Sequence, residues 1–346
     1  MRRIMLSFAI VLLMVMPVQG VELESYGYVK EEYTYYGENV SLFWEDLGDV
    51  IGEAVLNARP DLEEAARTCI CIITIVLLCS VTLHYSDRVK KTVQLVLTIS
   101  IGLLFLDSGR SLIELGLETV CEISEHSKII LPVLTGALAA QGGATKSIVL
   151  HTGTALFSTV LSTAVSKLLV PLLYCYLCLS IACSVLTEVT LKHLRDFVKW
   201  ILTWGLKIVL YLFTGYMSIS SVISGTVDAS ALKATKLAIS GSVPVVGNIL
   251  SDASETILLS AGVMKNSAGA YGLVVLAIIF IGPFIKIGIH YILLKVTAAL
   301  CSVFSTKETS GLVVAYANGM GFVLAMTGVS CLLSMISIVC YIKGVG

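Results

Sequence analysis

Residues 311–342 read GLVVAYANGMGFVLAMTGVSCLLSMISIVCYI, without one charged side chain. At ~1.5 Å rise per residue, about 20 such residues cross the ~30 Å hydrocarbon core of a bilayer. Lipid offers no hydrogen bonds, so a single apolar run must satisfy its own backbone, and the helix does this. Gly311, Ala315 and Gly319 recur at every fourth position, as do Ala317, Gly321 and Ala325. Small residues at that spacing let helix backbones approach closely in a membrane. The run predicts spanning helix packed inside a bundle. Whether it crosses once or doubles back decides where Lys343 lies.

Working outward, the same pattern repeats. Lys307 and Glu308 mark a last cytoplasmic turn, and before it Tyr271–Phe304 is apolar apart from Pro283, Lys286, His290 and Lys295. Pro283 predicts a kink. Near the other end, Ile70–Tyr85 and Thr92–Leu106 are two apolar runs joined by Asp87, Arg88, Lys90 and Lys91. A tight basic turn between spans marks the cytoplasmic side. Over 109–128, Glu114, Glu118, Glu122 and Glu125 share one face of an acidic amphipathic helix suited to the opposite surface. Ile129–Thr190 is mostly apolar, with breaks at Pro132, Gly142–Gly143 and Pro171, and basic residues Lys192, Arg195 and Lys199 follow it. Passing from outside to inside takes an odd number of crossings. Three spans (129–143, 147–166, 168–190) would satisfy that, but the first is short. A re-entrant or broken hairpin over 129–166 followed by one span at 168–190 is the favoured reading. Phe197–Val222 then leads outward, with Trp200, Trp204 and Tyr211 as interfacial anchors.

Composition agrees. The chain is 56% hydrophobic and 14% charged, with a mean hydropathy of +0.91, too apolar to hide in one water-soluble core. A net charge of −1 offers no field for nucleic acid. Residues 1–20 read as a signal peptide, with Arg2 and Arg3 before an apolar Ile4–Met16 and a small residue at Gly20. Residues 21–67 form an exported segment whose 41–59 stretch has the spacing of an amphipathic helix, and 68–346 form the multi-span domain. Nine of the ten cysteines lie in apolar runs, where a thiol behaves as a small hydrophobe. Cys175 and Cys178 have CxxC spacing, but no histidine or second CxxC lies near them in sequence, so no metal is assigned.

The stretch 225–268 is too polar for a plain span and too apolar for a solvated loop. Lys233 and Lys236 stand one turn apart, Pro244 and Gly247 follow in Gly-Ser-Val-Pro-Val-Val-Gly, and Lys265, Asn266 and Gly269 close it. It reads as interfacial or re-entrant backbone. Both this stretch and 129–151 place proline, then glycine and polar residues, in apolar sequence. Paired interruptions of that kind mark the permeation region of broken-helix transporters. The two are expected to meet, with Lys233, Lys236, Asp252, Lys265 and Asn266 around a polar cavity, Lys286 as a further pore candidate, and Pro132, Gly142, Gly143, Pro244, Gly247, Gly269 and Pro283 as the breaks. Lys207 and Lys295 are expected to snorkel to the headgroups. The sequence holds no HExxH, GxSxG, P-loop or dinucleotide fingerprint, and its five histidines are isolated from one another. No enzyme and no cofactor is indicated. The class is all-α: a polytopic membrane bundle with broken or re-entrant helices.

Ser224-Gly-Thr-Val-Asp228, Lys233-Ala-Thr-Lys236-Leu-Ala-Ile-Ser240, Val243-Pro-Val-Val-Gly247-Asn-Ile-Leu-Ser-Asp252 and Met264-Lys265-Asn266-Ser-Ala-Gly269 resemble the stage III sporulation protein AE family. So does Leu131-Pro-Val-Leu-Thr-Gly-Ala-Leu-Ala-Ala-Gln-Gly-Gly143. The resemblance covers most of the chain and is most specific over 224–269. It implies a multi-pass protein of the mother-cell membrane around the forespore, with its N-terminal segment exported. It also implies partners: subunits of the same sporulation operon and a forespore membrane protein across the intermembrane space. Their joint channel, or feeding apparatus, would sustain forespore development and late forespore transcription. A self-contained permease for a small solute and a non-conducting scaffold are the alternatives.

Overall fold

The structure, a computed structural model, describes residues 52, 58–85, 90–186, 189–242, 247–304 and 306–343. The signal-peptide reading and almost all of the 41–59 helix lie outside them. Within them the chain runs α1 (Arg59–Tyr85), α2 (Lys90–Ala140), α3 (Ala144–Ala164), a π segment (Val165–Leu169), α4 (Val170–Leu186), α5 (Val189–Ser242), α6 (Gly247–Phe304) and α7 (Lys307–Ile342), with no strand among the described residues. Among the described residues five stretches are long and apolar enough to cross a membrane: Leu95–Ala140, Ala144–Leu186, Thr190–Ile219, Ser260–Phe304 and Thr309–Ile342.

The rods alternate in direction. Gln141 meets Gly262, His126 meets Gly272, and Phe157 meets Phe213, so α2 is antiparallel to α6 and α3 to α5. The α1–α2, α4–α5 and α6–α7 turns therefore share one end, beside the basic residues Lys90, Lys91, Lys192, Arg195 and Lys307. Basic loops stay inside as a rule, so that end is the one expected to face the cytoplasm. α7 runs unbroken from that end, which puts Lys343 at the opposite end, termed the outer end below.

α7 is the central rod. Of its most apolar window 61% is buried, against 22% for α5. It runs parallel to α2 at one register: Gly109 receives Tyr316, Gly116 receives Val323, and Ser127 bonds Ser334, each pair 207 positions apart. The missing side chains at Gly109 and Gly116 admit those knobs, and Phe105 stacks on Tyr316 with ring centres 3.7 Å apart. The small residues Ala315, Ala317, Gly319 and Gly321 are buried, and Leu177 of α4 fills the space at Gly319. The opposite case is α5, whose Phe197, Trp200, Trp204, Ile208, Tyr211 and Leu212 are exposed as a lipid-facing strip.

Several expected breaks are absent. The helix is continuous through Pro132 and Pro283 and across Gly269. A proline in a helix forfeits one backbone hydrogen bond, and the remaining ladder, held by neighbouring rods, carries the helix past it. The acidic 109–128 stretch is not a separate surface helix but the middle of α2. The descending arm of the 129–166 hairpin does not stop: it continues through the π segment into α4 as one rod to Leu186. Pro171 sits just past that widened turn, where its ring would otherwise press on the Lys167 carbonyl. Residues 225–242 and 247–268 are helical extensions of α5 and α6 rather than re-entrant backbone, and Pro244 lies outside the described residues. The proposed boundary at 67/68 falls inside α1.

Candidate functional site: the outer polar seam

Where α2, α3, α6 and α7 meet, hydroxyls replace hydrocarbon. Ser127 Oγ lies 2.9 Å from Ser334 Oγ, and Ser124 Oγ 3.3 Å from Ser158 Oγ. Ser124, Ser158 and Ser334, with Ser162 and Ser330, line a cavity of about 10 Å³, room for a single water. About two turns above Ser127, Thr135 donates its hydroxyl proton to the Leu131 carbonyl at 2.6 Å. Its oxygen must then accept both from Tyr341 OH at 3.0 Å and from His151 Nδ1–H at 3.2 Å. His126 Nε2–H donates across to the Gly272 carbonyl at 2.9 Å. Each of these hydrogen-bonding side chains finds a partner, as a low-dielectric interior requires.

The seam ends in the α2–α3 turn. Gly142 has φ 87°, a left-handed conformation that glycine adopts freely, and Gly143 N donates back to Leu138 O at 3.1 Å. This turn abuts α6 at Gly262, so 129–151 and the upper part of α6 are brought together. Lys265 is buried there, Asn266 is exposed, and Gly269 takes Ile342 of α7 into its open face. Lys146, in the first turn of α3, is buried beside them. Lys233, Lys236 and Asp252 have helical backbones, and their side chains lie outside the described residues; Gly247 opens α6.

Lys286 does not join this group. It is 21 residues down α6 from Lys265, about 32 Å along the helix. There its Nζ lies 2.8 Å from Asp61 Oδ1 and 3.8 Å from Glu64 Oε2 of α1. Lys295 does not snorkel: it donates to Asn318 Oδ1 at 2.9 Å and lies over the Tyr291 ring. Lys207 lies over Trp204. Asp61, Gln141, Lys146 and Tyr341 were not legible as site residues. Lys146 carried one usable signal, a cation three positions after a glycine pair at a helix start. No group of three histidine, cysteine or acidic side chains is placed to hold a metal among the described residues.

Comparison with known proteins adds a family. The family described as "Stage III sporulation protein AE (spore_III_AE)" matches residues 49–344. The chain is 22% identical to "Stage III sporulation protein AE" of Bacillus subtilis (strain 168) over 214 residues, 62% of this chain and 54% of that protein. It thus spans about half the length of that curated relative. No solved structure matches.

Proposed function

This chain belongs to the stage III sporulation protein AE family, and from that membership we propose that it is a membrane-embedded component of the channel complex linking mother cell and forespore. In this role it resides in the mother-cell membrane around the forespore, presents its outer end to the intermembrane space, and is needed for forespore development and late forespore transcription.

One observation carries the reading. α5 and α6 have 54 and 58 residues, about 81 and 87 Å at helical rise, well over the ~30 Å of hydrocarbon. The surplus lies at the outer end, in 225–242 and 247–268, the stretch that most resembles the family. A pair of rods reaching past the bilayer on that side supplies a platform for subunits between the two membranes. The serine-lined cavity within the bundle holds about one water. A wider path would then run between this chain and its partners.

The test is a deletion in the native sporulating host, complemented with the intact chain or with the chain lacking 225–268. Expected are forespores that engulf but fail to switch on a late forespore reporter, rescued by the intact chain alone. Loss of the chain without loss of the reporter or of spore yield would overturn the reading. Flux through the purified chain in liposomes without partners would replace it with the self-contained permease.

A further inference from the structure

The outer turn holds two lysines that the bundle withdraws from water. Lys146 is 8% exposed and Lys265 5%. Their ammonium groups repel one another across the gap between α3 and α6. Lys265 has no hydrogen bond or ion pair with a described residue. A buried cation of that kind is costly unless an anion accompanies it. Along α6 the nearest acidic residue to Lys265 is Glu255, ten positions and about 15 Å away.

Three further features point the same way. Lys146 belongs to the first turn of α3, whose N-cap is Gly143, with no capping side chain. The opening N–H groups of that helix and its dipole add positive potential at the same spot. Lys343, at the end of α7, brings a third ammonium near Cys340, which Lys146 also faces. Gln141 Oε1 is buried without a partner; reversing its amide would present a donor there instead.

We propose that this turn binds a phosphate-type oxyanion, held by Lys146, Lys265 and the first turn of α3. The chemistry is shared by free phosphate and by the phosphate of an anionic lipid headgroup. The site stands on this geometry and does not depend on the sporulation role.

The experiment uses the full chain in phosphatidylcholine nanodiscs, with thermal unfolding followed against inorganic phosphate and against chloride at matched ionic strength. A parallel set contains phosphatidylglycerol. A rise in melting temperature with phosphate in the neutral discs assigns the free ion, and a rise with phosphatidylglycerol alone assigns the headgroup. Lys265→Gln is expected to weaken the response about tenfold or more, the worth of one charged hydrogen bond, while Lys265→Arg retains it. Gln141→Glu, which builds an anion into the turn, is expected to raise the melting temperature without phosphate and to abolish the dependence. No response in either disc overturns the site, as does an undiminished response in Lys265→Gln or Gln141→Glu.

Discussion

At the residue scale, Lys286 is neutralised across helices, by Asp61 of α1, rather than by reaching for the headgroups. Lys286 and Asp61 are each about a quarter to a third exposed. Lys286→Met, which strands the carboxylate, is therefore expected to cost about 1–2 kcal/mol, below the figure for a fully buried pair. Thermal unfolding in detergent reads this, and Asp61→Lys combined with Lys286→Asp should recover part of the loss. Glu64, at 3.8 Å and largely exposed, should matter little when changed to Gln. Thr135→Val removes one acceptor from two donors, Tyr341 and His151. That should cost about 1–3 kcal/mol, and Thr135→Ser should restore it. The sequence marked Lys286 as unusual but not its partner, because Asp61 lies more than 200 positions away and no local pattern connects them.

At the element scale, the apolar runs gave the helices, since these follow from local solvation. What sequence misjudged was continuity. Pro132, Gly269 and Pro283 look like interruptions when a helix is imagined alone, and neighbouring rods override them. The Gly142–Gly143 turn was readable because two glycines beside Gln141 leave a helix little reason to continue. Glycines within α2 separate packing from conformation. A side chain at Gly116 meets Val323, whereas one at Gly136 meets nothing within 4 Å. Gly116→Ala is expected to destabilise by about 1–3 kcal/mol through overpacking. Gly136→Ala is expected to be neutral or to stabilise by up to about 1 kcal/mol through helix propensity. Chemical or thermal unfolding of the two variants side by side checks both signs.

At the scale of the whole molecule, sidedness is the testable quantity. Single cysteines at 143 and 343 should label from the outer face of right-side-out vesicles, and cysteines at 90, 192 and 307 only after permeabilisation. Labelling of 343 from the inside would break the single crossing of α7. The candidate site was partly legible at this scale: the two proline–glycine stretches were expected to meet, and the turn does abut α6. The lysine pair was not, because Lys146 and Lys265 come together only through the tertiary turn of three rods. The central position of α7 also bears on biogenesis. The rod that fills the middle is the last of these helices to leave the ribosome, so the earlier ones must wait in the membrane with the slots at Gly109 and Gly116 vacant. A chain stopped before Lys307 should accordingly insert, fail to close, and be cleared by membrane proteases. Supplying α7 as a separate peptide during synthesis should rescue it.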